Sequence, residues 1–181
     1  MTPGLPVPWG ALGTYLVVLA LQRVAELVLS ARNLARLTAL GGHEVSAKHF
    51  PLFVLLHVGY PVALVAEVMA GARPSAAWPW ALGVWLLAQV LRVAAIRALG
   101  ARWNVRIVVL PGEPPVRSGI YRWLRHPNYV AVVLEFLSAP LMFGAWRTCI
   151  AATLLNAAVL AVRIPAEERA LEEAVGKRPG C

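Results

Sequence analysis

Long apolar runs separated by short polar connections dominate the pattern of residues along the chain. A helix that crosses the hydrocarbon core of a bilayer needs roughly 20 mostly apolar residues. Runs of about this length or somewhat shorter cover residues 9–29, 50–66, 74–91, 127–146 and 148–162. The last run is short for an independent span. The pattern therefore predicts that the fourth and fifth helices form a tight hairpin around residues 144–147.

A few polar side chains interrupt these runs. Arg23 and Glu26 are spaced i, i+3, and we expect them to pair on one face of the first helix. Glu67, Glu135 and Asn156 are typical of hydrogen-bond partners between helices. Glu135 also lies two turns inside the fourth helix, where it can line a cavity.

Composition supports a membrane location. Hydrophobic residues make up 59% of the 181 residues and charged residues 14%, with a mean hydropathy of +0.65. A soluble domain has about 25% charged residues, so that class is excluded. We predict an all-α, polytopic membrane protein with about five transmembrane helices, the last two a helical hairpin, plus a C-terminal cytoplasmic helix. No linker or internal repeat divides residues 1–181, which indicates a single domain.

Basic residues give the chain a net charge of +8, but they are spread between the apolar runs rather than gathered in one stretch. This distribution indicates membrane topology and no nucleic-acid partner. Connections poor and rich in Lys and Arg alternate, which places the N-terminus outside and the C-terminus in the cytoplasm. We therefore expect an inner (cytoplasmic) membrane protein. Its two cysteines have no metal-ligand spacing, and no metal site is predicted.

The segment WLRHPNYVAVV, residues 123–133, opens the fourth run with a cation and an imidazole. Pro127 suits the first turn of a helix and forces His126 into an extended conformation. Free N–H groups at such a helix start favour a carboxylate or phosphate, and Arg125 would strengthen that field. The alternative is that Arg125 reaches lipid headgroups and His126-Pro127 is only a helix start.

A second polar motif, AVRIPAEERALEE, follows the fifth run. Pro165 lies between Arg163 and Glu167, so we expect the helix to kink or restart there. Glu167 and Glu168 would then occupy the first turn of a new helix, where acidic residues are favoured. The alternative is a solvated amphipathic tail. Because both motifs stand at the same ends of the predicted hairpin, an anion site and an acidic site should meet.

Polar residues also cluster before and within the second run. A polar group close to the membrane is costly unless it has a partner, so these residues are candidates for contact with a polar substrate head. Metal binding by two of the histidines lacks a third ligand at convincing spacing. The residues are Arg32, Asn33, Glu44, His49 and His57.

The run SGIYRWLRHPNYVAVV, followed by RIPAEERALEE, resembles the isoprenylcysteine carboxyl methyltransferase family of integral membrane enzymes over residues 103–173. The N-terminal pattern RN…GGHE…KHFP…LH is similar to a bacterial branch found with type III polyketide synthases, whose members methylate alkylpyrones or related phenolic lipids. Ala131 stands where several relatives have glycine. The resemblance implies S-adenosylmethionine as cofactor, bound from the cytoplasm, and a tunnel from the bilayer for a lipid substrate.

Site residues follow from the same resemblance. The cofactor would be held by Tyr121, His126, Pro127, Asn128, Tyr129, Arg163, Glu167 and Glu168. The substrate would be contacted by Trp103, Arg32, Asn33, Glu44, His49 and His57. Arg106, and after it Arg125, would position the acceptor anion as catalytic residues, although both could instead contact phosphates. Residues 1–98 would shape the lipid-substrate side and residues 99–181 the cofactor side.

The expected reaction is methyl transfer to a carboxylate or acidic enol or phenol oxygen of an isoprenylcysteine-like or alkylpyrone-like lipid. It destroys two opposite charges, so a site with little water favours it and needs no strong base. The expected partners are the bilayer and a lipophilic small molecule, with no obligate protein partner. Two alternatives remain open, an NADPH-dependent enzyme similar to sterol reductases and a small membrane transporter or interaction protein.

Overall fold

The structure, a computed structural model, describes residues 9–45 and 50–176. Within those ranges it contains five long helices and two short strands. The helices are α1 (Trp9–Ala39), α2 (Phe50–Met69), α3 (Trp78–Leu99), α4 (Pro127–Met142) and α5 (Trp146–Gly176), and the strands are β1 (His43–Val45) and β2 (Ile107–Val109). The predicted all-α membrane architecture is confirmed.

Four of the described helices, α1, α2, α3 and α5, are long and apolar enough to cross a membrane. Helix α4 is shorter, with 16 residues, of which ten are buried. It packs mainly against α3 on one side and α5 on the other. Because the other helices cover α4, its polar side chains face protein rather than lipid, and its first turn is held in a fixed place.

The turn between α4 and α5 is tight and depends on a glycine. Gly144 has a φ of +73°, and a Cβ atom there would lie 1.9 Å from the backbone oxygen of Arg73. Glu67 at the end of α2 accepts hydrogen bonds from the backbone N–H groups of Arg147 and Thr148 at 3.0 and 2.7 Å. This carboxylate satisfies N–H groups that the first turn of α5 leaves free. The predicted hairpin is thereby closed and tied to α2.

Helix α5 differs from its prediction, because it continues through Pro165 without a restart. The predicted separate C-terminal helix is the C-terminal end of α5 itself. Proline removes one hydrogen bond from the helix, but tertiary packing compensates for the loss. Beyond the proline, Ala166, Ala170 and Ala174 are buried in one apolar cluster with Ile107 and Val109 of β2. This face keeps the chain helical.

A second difference concerns residues 105–110, whose poorly alternating apolar pattern before Pro-Gly-Glu-Pro-Pro predicts an ordered loop on the bilayer. Part of this segment is β2, which pairs antiparallel with β1 in the register His43↔Val109, Glu44↔Val108 and Val45↔Ile107. The two strands are about sixty positions apart in the sequence, and each has only three residues. Such short strands leave almost no periodic signal. Their pairing covers the end of the bundle where α5 extends beyond the membrane-spanning run.

Candidate active site

The first turn of α4 and the middle of α5 bring the two polar motifs together. Nε2 of His126 lies 3.1 Å from Oε1 of Glu168. The Tyr129 hydroxyl donates a short hydrogen bond to Oε2 of Glu167. The rings of His126 and Tyr129 are stacked with centroids 5.4 Å apart. Across residues 9–45 and 50–176, Oε1 of Glu167 and Oε2 of Glu168 have no protein donor, so each carboxylate keeps one oxygen for another group.

Arg163 supplies a buried positive charge beside these acids. Its side chain is only 7% exposed, and Nε donates to the Tyr129 hydroxyl at 2.9 Å while Nη2 donates to the carbonyl of Val105. The guanidinium lies over the Phe53 ring, 5.0 Å from its centroid. Among the described residues, no carboxylate comes within ion-pair distance of it. A buried cation with hydrogen bonds but no ionic partner favours an incoming anion.

Helix α4 begins where the sequence predicted, with Pro127 as its first residue. His126 lies outside the helical region, but its φ of −130° and ψ of 62° differ from the predicted extended conformation. The carbonyl of His126 accepts the N–H groups of Tyr129 and Val130, each at 3.1 Å. Since Pro127 has no N–H, Asn128 provides the first backbone donor of the helix.

Two cavities meet at this point. The first, of about 70 Å³, extends toward the membrane-spanning parts of α1, α2 and α3. The second, of about 150 Å³, lies beneath β2 and the following proline-rich loop, against the extended end of α5. The cavities share a wall formed by Leu99, Asn104, Arg106, Tyr121, His126 and Glu167. A molecule in one cavity can therefore approach a molecule in the other.

Tyr121 is part of this shared wall. Burial, and to a lesser extent the negative charge of Glu167, raise the pKa of the Tyr121 hydroxyl above its ordinary value. The hydroxyl therefore stays protonated at all physiological pH values. It is available as a hydrogen-bond donor between the two cavities.

The two arginines predicted to be catalytic lie in different places. Arg106 lines both cavities, and its Nη1 donates to both carboxylate oxygens of Glu44 at 2.9 and 2.8 Å. Arg125 is exposed and lines the second cavity. The structure thus brings Arg106 to the junction of the cavities and Arg125 only to one side.

Of the predicted substrate contacts that the structure describes, Trp103 alone lines one of the two cavities, and Asn33 and Glu44 hold wall residues in place. Asn33 donates to the backbone carbonyls of Gly100 and Trp103 at 3.2 and 2.6 Å, which fixes the segment after α3. Trp103 is 2% exposed and lines the first cavity. Arg32 is exposed on α1 and belongs to the lining of neither cavity described above. His49 lies outside the described residues.

His57 lies on α2 behind Phe53, with the two ring centroids 4.0 Å apart. Its Nδ1 is 2.9 Å from the Phe53 carbonyl, and because a carbonyl oxygen only accepts, this nitrogen bears the hydrogen. Nε2 is therefore the accepting nitrogen. It is buried and has no hydrogen-bond partner among the residues described. The ring offers one unused acceptor to a polar group.

A ring of four charged residues lies on the membrane-facing side of the first cavity, and three of them, Arg23, Glu26 and Arg92, line it. Arg23 contacts Glu26 at 2.6 Å and Glu135 at 2.7 Å. Arg92 contacts Glu26 at 3.4 Å and makes a short ion pair with Glu135. The expected Arg23 and Glu26 pair is present, and Glu135 is an interhelical partner.

Sequence reasoning missed Arg92, which follows directly after the predicted third run. The only signal was an arginine between two apolar stretches of what is a single helix.

Comparisons with known proteins agree with these motifs. Residues 81–173 match the sequence model of the isoprenylcysteine carboxyl methyltransferase (ICMT) family. An uncharacterised protein of Bacillus subtilis (strain 168), YpbQ, is 37% identical over 159 residues, which cover 87% of this chain and 95% of YpbQ. An uncharacterised Haemophilus influenzae protein (strain ATCC 51907 / DSM 11121 / KW20 / Rd) is 27% identical over 160 residues, 87% of this chain and 92% of that protein. No solved structure matches the chain. The family match confirms the resemblance predicted from the motifs: the chain belongs to the ICMT family and is a membrane methyltransferase.

Proposed function

We propose that the protein is an S-adenosylmethionine-dependent O-methyltransferase that modifies a lipophilic acid or acidic enol or phenol in the membrane. The observation that carries this proposal is the wall shared by the two cavities. The methyl donor would enter from the cytoplasm through the second cavity and extend across the shared wall to Asn128 and Arg163 in the first, which the acceptor would enter from the bilayer. Residues 99–181 would then supply nearly all of the donor side and most of the acceptor side, to which residues 1–98 add Arg23, Glu26, Phe53 and Arg92.

The donor set at the junction fits S-adenosylmethionine. The Asn128 N–H at the start of α4 and the ion-unpaired Arg163 suit its carboxylate. The ammonium group and the ribose hydroxyls of the donor need hydrogen-bond acceptors. The unused oxygens of Glu167 and Glu168 can supply them. Tyr121 and the stacked rings of His126 and Tyr129 provide polarizable contact surface. When bound, this molecule supplies a methyl group made electrophilic by a sulfonium.

The protein itself would contribute alignment and exclusion of water. Trp103 and Tyr129 are buried walls of the first cavity, so few waters can solvate reacting charges there. Arg106 lies at the junction and is our candidate for positioning the acceptor against the donor. Arg125 reaches only the second cavity, so it would lie on the path by which the donor enters. Holding both reactants across one wall can contribute several orders of magnitude to the rate.

The acceptor would be a lipid because its cavity reaches into the membrane-spanning helices. Arg23, Phe53 and Arg92 line it from α1, α2 and α3, all of which are long enough to span. An isoprenylcysteine-like carboxylate and an alkylpyrone-like enol both place an acidic oxygen at the end of an apolar chain. Both are compatible with a polar junction and an apolar surround. The distribution of basic residues among the connections supports a donor side that faces the cytoplasm of an inner-membrane protein.

The experiment that tests this function is donor binding by the purified protein in lipid nanodiscs, followed by transfer of a labelled methyl group to each acceptor class. We expect S-adenosylmethionine to bind and Glu167→Gln to weaken it by roughly tenfold or more, because a charged hydrogen-bond acceptor is lost at a buried site. Glu172→Gln is the matched control, since this acid is exposed on α5. Binding of NADPH but not of S-adenosylmethionine would overturn the proposal in favour of a reductase.

A further inference from the structure

The ring of four charged residues beside the first cavity has no net charge, because two arginines face two carboxylates. Both arginines, Arg23 and Arg92, contact both carboxylates, Glu26 and Glu135. Neutral side chains complete it, because Gln22 donates to Glu26 and Gln89 donates to Glu135, each at 2.8 Å. Neither arginine of this ring therefore resembles Arg163, which has no ionic partner among the described residues. An additional anion would find its cations already neutralised.

The two carboxylates of the ring are not equivalent. Glu26 lines the first cavity together with both arginines, whereas Glu135 is not part of the lining and lies behind them on α4. The cavity also reaches Asn128, whose Oδ1 is 3.4 Å from Nη1 of Arg92. The lining of the first cavity therefore includes the carboxylate of Glu26 and, beside it, the guanidinium of Arg92. That pair presents a hydrogen-bond acceptor next to hydrogen-bond donors.

The carboxylate of Glu26 favours one protonation state of an acceptor group that binds against it. An acceptor that arrived as a carboxylate or enolate would meet the like charge of Glu26 in a region of low dielectric. A neutral group that carries a hydroxyl next to a carbonyl can form hydrogen bonds to both side chains, because its hydroxyl donates to Glu26 and its carbonyl accepts from Arg92. We propose that Glu26 is a catalytic residue that binds the acceptor as a neutral hydroxyl and takes its proton. This inference rests on the proposed methyl transfer and names the form in which its acceptor binds.

The step balances. The O–H bond of the acceptor breaks and its proton moves to a carboxylate oxygen of Glu26. The electron pair left on the acceptor oxygen forms the new bond to the methyl carbon, and the carbon–sulfur pair of S-adenosylmethionine stays on sulfur. One negative charge on Glu26 and one positive charge on sulfur disappear together. The balanced ring makes this possible, because protonated Glu26 leaves Glu135 as the partner of both arginines.

The test compares Glu26→Gln with Glu135→Gln in nanodiscs. Both variants remove one charge from the same two arginines, so both should lower thermal stability similarly, and Glu135→Gln controls for that loss. The probes are an alkyl hydroxypyrone and its methyl ether, whose binding is measured without any methyl donor. We expect the wild type to prefer the hydroxyl form by roughly tenfold, because only this form donates to the carboxylate. Glu135→Gln should keep the preference, and Glu26→Gln should bind both forms alike.

A second readout is the rate of methyl transfer. Loss of proton acceptance should slow transfer to the hydroxypyrone by on the order of a hundredfold in Glu26→Gln, and Glu26→Asp should recover part of it. The inference is overturned if the two glutamine variants change the hydroxyl preference equally, or if Glu26→Gln retains it. It is also overturned if the wild type methylates a prenylcysteine carboxylate and does not discriminate the hydroxypyrone from its ether. In that last case the methyltransferase function itself still stands.

Discussion

Two groups of charged residues contact α4 at nearby positions, the ring through Glu135 and the junction through Tyr129, and they differ in how their charges are matched. In the membrane-facing ring, every arginine contacts two carboxylates from other positions. In the junction between the cavities, Arg163 has hydrogen bonds to a hydroxyl and a carbonyl but no carboxylate within ion-pair distance among the described residues. Matched charges hold helices together, whereas an unmatched buried charge is suited to a ligand that brings the opposite charge.

The largest effect on stability is expected from a substitution in the ring of four charged residues. Arg92→Met removes a guanidinium that is 3% exposed and leaves two buried carboxylates with a single arginine. We expect the free energy of unfolding to fall by about 3 to 5 kcal/mol, the usual cost of breaking a buried ion pair. Thermal or denaturant unfolding in detergent measures it. Arg97→Met, at an exposed position on the same helix, is the control, and equal losses in both variants would contradict a structural role for the ring.

The same substitution at the junction should behave differently. Arg163→Met leaves no carboxylate without its cation and removes only hydrogen bonds to Tyr129 and Val105, so we expect a stability loss of about 1 to 2 kcal/mol. Affinity for S-adenosylmethionine should fall by roughly tenfold or more, since a charged contact is lost. Unfolding and equilibrium binding are measured on the same preparation. A loss of stability as large as in Arg92→Met, with unchanged binding, would reverse the assignment of the two groups.

The smallest effect on stability is expected at the edge of the junction. The side chain of Glu168 is 41% exposed, and its contact with His126 is screened by solvent. Glu168→Gln should therefore change the free energy of unfolding by less than about 0.5 kcal/mol. Donor affinity should nevertheless decrease severalfold, because the carboxylate faces the proposed ammonium or ribose group. Titration with S-adenosylmethionine checks this, and Glu173→Gln on the exposed face of α5 should leave both quantities unchanged.

Local signals were sufficient for part of this site. Proline at the start of an apolar run predicted the beginning of α4, and His126 lies outside the helical region, as a following proline favours. The hairpin between α4 and α5 followed from the length of the runs, and it placed the two polar motifs at one end. Contacts between His126 and Glu168 and between Tyr129 and Glu167 are the outcome of that arrangement.

Other parts depended on packing that no local pattern contains. Pro165 reads as a helix break, yet the alanine face beyond it is held against β2, which itself exists only through its pairing with β1. Arg106 is predicted from the sequence to position an anion, and the same strand pair adds Glu44 as its partner. The helical state of Pro165 and the pairing of Arg106 both depend on contacts from distant segments.

The sequence by itself determined that the chain enters a membrane as several helices, where α4 begins, and to which family it belongs. These properties depend on hydropathy over some twenty residues and on the chemistry of neighbouring positions, both of which are local. Only the tertiary structure decided which charges are matched. Arg23 and Glu135 are 112 positions apart and belong to helices that could pack in several registers. The energy of a buried charge depends on its distance to the opposite charge, which packing alone sets.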